Sequence, residues 1–171
     1  MTSRTTKSNA KSVARAEAMA ALAAWQRGKL TPAEALKRLW PVVHDAADHS
    51  NLGALLRALG KSAEAEAAYR RAIALDPQFA AAPYNLGNLL SDAGRLEAAE
   101  AAYAAAVAAR PHYAEAHNAL GTMQQRRGKL AQATEAFRAA AQYAPHWVEP
   151  QTNLGVALLG LDARDLQLGV V

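Results

Sequence analysis

Three asparagines, Asn51, Asn85 and Asn153, stand at multiples of 34 residues from one another, each inside the tripeptide Asn-Leu-Gly. A carboxamide offers a donor and an acceptor, the same two groups that a peptide bond presents, so evenly spaced carboxamides suit the backbone of an extended chain. The skipped place reads Ala119-Leu120-Gly121, with Asn118 one position earlier. This is chemistry of recognition, and little points to turnover. His44 and His49, like His112 and His117, sit about 140° apart round a helix, so neither pair makes the metal face that a four-residue spacing would. There is no phosphate-cradling glycine loop, no nucleophile elbow and no carboxylate pair in an apolar run. Gly-Lys at 28, 60 and 128 reads as a helix end. The lack of cysteine removes disulfides, thiolate metal sites and thiol nucleophiles together, and fits a reducing compartment. No enzyme activity, cofactor or metal is expected.

What spaces the asparagines is a repeat. Steps of 34 link Leu52, Leu86, Leu120 and Leu154, and likewise Gly53, Gly87, Gly121 and Gly155. Within each unit they link Gly60, Gly94 and Gly128, then Ala65, Ala99 and Ala133, then Tyr69, Tyr103 and Phe137. Ala72, Ala106 and Ala140 follow, and Pro77, Pro111 and Pro145 close the units. In the second unit, Leu86, Leu89, Leu90 and Ala93 share one face of a helix over 80–93, and Gly94 stands where a left-handed cap is wanted. A second helix over 96–109 buries Ala99, Tyr103, Ala106 and Val107, and Pro111 stops it. Gly87 lies inside a helix at a cost of about 1 kcal/mol against alanine. Its recurrence predicts a close crossing, with Ala99 facing the glycine and Tyr103 filling the space beyond. Phe79, Tyr113 and Trp147, two places after each proline, are expected where one unit meets the next.

These residues and spacings resemble the tetratricopeptide repeat, with Leu-Gly in the first helix, a small residue, an aromatic and an alanine in the second, and proline at the end. The resemblance covers 46–79, 80–113 and 114–147, and an incomplete fourth unit over 148–171 serves as the C-terminal cap. It implies an all-α fold, a right-handed superhelical solenoid of antiparallel helix hairpins. Where the family often has an aromatic three places before Leu-Gly, this chain has His49, Pro83, His117 and Gln151. Residues 9–45 read as a worn unit and N-terminal cap: a helix from about Ser8 to Arg27, then Thr31 as N-cap and Pro32 at the first helical place. Trp25 and Trp40 are expected to close that end of the stack.

The resemblance further implies a concave groove lined by the first helices, where family members hold peptide segments of other proteins. The residues expected to line it are Asn51, Arg57, Tyr84, Asn85, Asn88, Asn118, Thr122, Gln125 and Asn153. The asparagine series is similar to the asparagine-lined repeats of O-linked N-acetylglucosamine transferases, which hold substrates by their backbone. Replacing Asn85 and Asn88 by alanine is expected to spare the fold and weaken binding. Family members that grip acidic chaperone tails use Lys and Arg in the groove. At those places this chain has Ser50, Ala54, Asn85, Glu115 and Ala119, so that use is not expected. The reading is a protein-interaction scaffold; the alternative is the recognition arm of a glycosyl- or sulfotransferase whose catalytic domain lies elsewhere.

Composition agrees with thin, closely packed helices: aromatics are 6% and alanine about a quarter of the 171 residues. Four of the 19 basic residues, Arg4, Lys7, Lys11 and Arg15, precede the first acid, Glu17, which leaves the body neutral. Residues 1–8 read as a flexible basic tail, too sparse in charge and aromatics to mark a nucleic-acid site. The apolar stretch from Ala16 to Trp25 contains Glu17 and no convincing cleavage pattern, and no run is long enough to span a membrane. A cytoplasmic location is expected, with an organelle presequence left open. In the fourth unit Leu154, Val156, Leu158, Leu159 and Leu161 face more than one side. Three covers are open: a fold-back of residues 166–171, self-association with a second copy, or a downstream module.

Overall fold

The computed structural model describes residues 2–168, and side chains over residues 12–163. Among these, nine α-helices and no strand form: α1 Thr2–Gln26, α2 Pro32–Leu39, α3 Ala46–Ala58, α4 Ser62–Leu75, α5 Ala81–Asp92, α6 Leu96–Ala109, α7 Ala114–Arg126, α8 Leu130–Tyr143 and α9 Val148–Leu168. The fold is all-α, of the hairpin-solenoid class. The chain divides within α5 into two compact units, one up to Asn85 and one from Leu86.

Glycine ends the first helices as its spacing predicts. Gly60, Gly94 and Gly128 take φ of 74°, 71° and 75°, and the next N–H closes the turn, Arg95 onto Leu90 at 2.9 Å and Lys129 onto Gln124 at 2.8 Å. This is the left-handed cap that satisfies carbonyls at a helix end.

In the first unit, α1 opens at Thr2, where the sequence reading places a tail over 1–8. No glycine or proline interrupts residues 2–26, and their lysines, arginines and alanines are good helix formers. Thr31 caps α2 in a full capping box with Glu34, and Pro32 takes the first turn. A short 3-10 turn, Trp40–Val42, follows. Leu39 is fully buried and Val42 nearly so, whereas Trp40 is 62% exposed. Residues three apart share a side of a 3-10 helix, so burying 39 and 42 turns 40 outward. Trp40 therefore does not close the stack as expected.

A buried carboxylate anchors α3. Asp48, with no exposed surface, accepts from the backbone N–H of His44 at 2.9 Å and of Asp45 at 3.2 Å, and from Arg15 Nη2 at 3.1 Å. Asp45 caps the same helix by accepting from Asp48 N–H at 2.9 Å. That hydrogen bond holds the Asp45 carboxyl below its ordinary value against partial burial, and Arg15 lowers it further.

The hairpins close on a glycine-aromatic slot. A Cβ built on Gly53 meets Tyr69 Cε1 at 2.6 Å, one on Gly87 meets Tyr103 Cε1 at 2.6 Å, and one on Gly121 meets Phe137 Cε1 at 2.7 Å. The aromatic ring itself occupies the space a side chain would need. The expectation that Ala99 faces Gly87 is corrected accordingly; Ala65, Ala99 and Ala133, all fully buried, bring the second helix near enough for the ring to reach. Burial pushes the Tyr69 phenol up to about 12. Gly121→Leu is expected to lower stability by about 1–3 kcal/mol through overpacking, measured as a lower urea midpoint; an unchanged midpoint would show that the ring can move aside. Phe79 packs on Ala46, Ala72 and Ala82, at the join its position predicted.

In the second unit, Arg127 and Lys129 pair with acids of α6, Arg127 with Glu97 and Glu100, and Lys129 with Glu100 at 2.8 Å. Desolvation alone would raise the Glu100 carboxyl, but hydrogen bonds from Lys129 and Arg127 hold it below its ordinary value. Carboxyls lowered in the folded state contribute stability that is present above their unfolded values, about 4. That stability is lost as pH falls through the lower folded values. The urea midpoint is therefore expected to hold from neutral pH down to about 5 and to fall below about 4; a midpoint rising on acidification would contradict these pairings.

The α9 helix packs on α8 through Leu154 and Ala157, against Ala133 and Phe137. Its other side is bare: Val148, Val156, Leu158 and Leu159 are 67, 53, 41 and 71% exposed. No fold-back begins at Leu166, because α9 runs through Leu168; residues 169–171 lie outside the described residues.

Candidate peptide-binding face

Within each unit, a carboxamide ties one first helix to the next. In the first unit, Asn85 Nδ2, on α5, donates to Ser50 Oγ, on α3, at 3.3 Å. In the second unit the same bond recurs: Asn153 Nδ2, on α9, donates to Asn118 Oδ1, on α7, at 3.0 Å. Asn118 Nδ2 in turn donates to Glu149 Oε1 at 3.0 Å. Both bonds run from one unit's asparagine to the residue just before its counterpart in the preceding unit. The sequence reading assigned these asparagines to recognition, and the structure adds a second role: they clamp first helix to first helix.

Each expected residue now has a place. Asn118 is only 6% exposed with both ends of its carboxamide engaged. Thr122 is half-buried and its Oγ1 donates to the Asn118 carbonyl at 2.9 Å. Gln125, one turn further along α7, is half-buried. Asn88 accepts from the Tyr103 hydroxyl at 2.7 Å, fixing the ring that fills the Gly87 slot. Asn51 and Tyr84 are half-buried in the first unit, and Arg57 is exposed on the last turn of α3. Replacing Asn85 or Asn88 thus removes an internal bond as well, and their alanine variants do not isolate binding from stability as the sequence reading supposed.

Where the aromatic is missing before Leu-Gly, polar side chains bond to the proline that closes the preceding unit. His117 Nε2–H donates to the Pro111 carbonyl at 2.9 Å, and Gln151 Nε2 to the Pro145 carbonyl at 2.8 Å. His117 also lies near Tyr143, their ring centroids 5.5 Å apart. His49 is lowered by desolvation and by Arg71. Among the described residues no group of three His, Asp or Glu is placed to hold a metal ion, and no helix is long and apolar enough to cross a membrane.

Antiparallel hairpins on a 34-residue step, closed by a glycine-aromatic slot, define a helical-repeat protein. The tetratricopeptide repeat model matches residues 46–79 and again 84–146, and the chain belongs to the tetratricopeptide repeat family. No curated protein sequence matches it. Among solved structures it is similar to Pseudomonas aeruginosa pilF, at 22% identity and a TM-score of 0.77, over 90% of this chain and 72% of that one. It is similar to MamA from Desulfovibrio magneticus RS-1, at 24% identity and a TM-score of 0.72, over 89% and 85%. It also resembles the second TPR domain of human RPAP3, in complex with the HSP70 peptide SGPTIEEVD, at 26% identity and a TM-score of 0.61, over 66% and 93%.

Proposed function

We propose that this chain is a non-catalytic interaction scaffold that holds an extended segment of a partner protein on its first-helix face, with carboxamides reading the segment's backbone. The observation that carries this is the bonded ladder. The bond to Asn118 uses one hydrogen of Asn153 Nδ2 and leaves the second hydrogen and Oδ1 for a ligand. Asn85 is held likewise by Ser50. Carboxamides fixed before the ligand arrives lose less entropy on binding it. Asn118 itself, being buried, acts by positioning Asn153. The peptide seen on the similar RPAP3 domain supports peptide capture by this class of fold, and the cysteine-free sequence supports a cytoplasmic setting.

The face should differ from RPAP3 in what it holds. Ser50, Ala54, Asn85, Glu115 and Ala119 supply no cation for a terminal carboxylate. SGPTIEEVD is therefore expected to bind more weakly than about 1 mM in a calorimetric titration; micromolar binding would overturn this account of the face. To test the proposal, peptides selected from a displayed random library are titrated against Gln125→Ala and Asn51→Ala, whose side chains make no hydrogen bond within the chain among the described residues. Each lost bond is expected to cost about 1 kcal/mol, or roughly fivefold in affinity. Unaltered affinity in both variants would dispose of the proposal.

A further inference from the structure

Where His49 and His117 replace the family's aromatic, the hairpin carries a cleft. In the first repeat, a hollow of about 320 Å³ opens between α3 and α4 beside His49, with the buried Leu52, Leu56 and Ala68 in its lining. In the third, a hollow of about 350 Å³ lies beside His117, and each residue lining it stands two repeats on from a residue lining the first. The first cleft has two features that its counterpart lacks. Trp40, 62% exposed, lines it, and Arg71 stands where the third repeat has Ala139. We propose that the cleft beside His49 binds a small aromatic carboxylate, with its rings against Trp40 and the leucines and its carboxylate on Arg71.

Charge and size select that occupant. Glu64, which also lines the cleft, is taken by Lys61 at 3.0 Å, whereas Arg71 makes no ion pair among the described residues. An arginine without an acid presents a planar fork of N–H donors, the geometry that a carboxylate fits. Desolvation and Arg71 hold the His49 imidazole below its ordinary value, so near neutral pH it is uncharged and Arg71 is the cation of the site. Asp48 and Asp45 act on His49 in the opposite sense, but both are held by Arg15. The volume stands at the low end for a ligand cleft and suits one or two fused rings. An indole beside buried leucines gives those rings a flat apolar face on which to stack. None of the lining residues belongs to the carboxamide ladder, so this site and the peptide-binding face stand or fall separately.

The probes are β-naphthoate and its uncharged counterpart β-naphthamide, titrated into the full chain by calorimetry and by NMR of the Trp40 indole N–H. Saturable binding of naphthoate that shifts the Trp40 signal is expected. Naphthamide should bind about tenfold more weakly, the loss that goes with a charge-assisted hydrogen bond. Arg71→Gln should bring naphthoate down to the affinity of naphthamide, and Trp40→Ala should weaken both compounds. Both positions are exposed, so each variant should keep the parent's circular dichroism and melting temperature. Equal binding of the two compounds, unchanged binding by Arg71→Gln, or no saturable binding would overturn the proposal. Shifts centred on Leu120 and Ala136 with the Trp40 signal unmoved would overturn it as well, because the cleft without an arginine would then be the one that binds.

Discussion

Phe137→Ala is expected to destabilise the second unit by about 3–5 kcal/mol, the range for removing a fully buried aromatic. The ring has no exposed surface and packs with Ala133, Ala157 and Leu154. It also lies where the side chain of Gly121 would be. Ala133 and Ala157 are too short to fill the hole, and Leu154 alone among these neighbours can lean into it, so the loss stays within that range. Phe137→Tyr should stay within about 1 kcal/mol. Tyr103 already places a hydroxyl against Asn88 at 2.7 Å, and the counterpart of Asn88 here is Thr122, which can accept one. Urea unfolding of both variants checks this. A small loss for alanine would show that the slot is not the fastening of the hairpin.

Asp48→Ala should cost about 3 kcal/mol in the first unit. Removing one member of a buried, hydrogen-bonded charge pair typically costs 3–5 kcal/mol. Here Arg15 is 40% exposed and regains water, which moves the figure to the lower end. The backbone N–H groups of His44 and Asp45 lose their acceptor together. Asp45→Ala, by contrast, removes a cap that is 53% exposed and should cost about 1 kcal/mol. Thermal melts of the two variants side by side check the ordering. Equal small effects would mean that Asp48 does no more than cap the helix.

The hairpins were legible because their signals are local. Alanine-rich runs, glycine at the cap and proline at the close each act within a few residues, so helices expected over 80–93 and 96–109 appear as Ala81–Asp92 and Leu96–Ala109. Thr31 with Pro32 was legible for the same reason. The Asp45–Asp48 capping box was present as a short polar pattern before α3 and went unread, and its pairing with Arg15 spans 33 residues that only folding brings together. The asparagines were read at the right spacing and given too narrow a role. Their bonds step 35 residues, one more than the repeat, because each reaches the residue just before its counterpart; a search for identical letters 34 apart passes over that offset. Trp40 misled because a tryptophan in the N-terminal hairpin was read as closing the end of the stack, whereas the 3-10 turn decides which side of the backbone faces inward.

The central claim is that first-helix carboxamides hold the backbone of a partner segment. Side-chain amide signals of Asn and Gln, followed by NMR as a library-selected peptide is added, report on it most directly. Shifts of Asn153 and Gln125 in the second unit, with the backbone amides of α6 and α8 left in place, are the predicted result. Shifts confined to α6 and α8 with those carboxamides unmoved would contradict it.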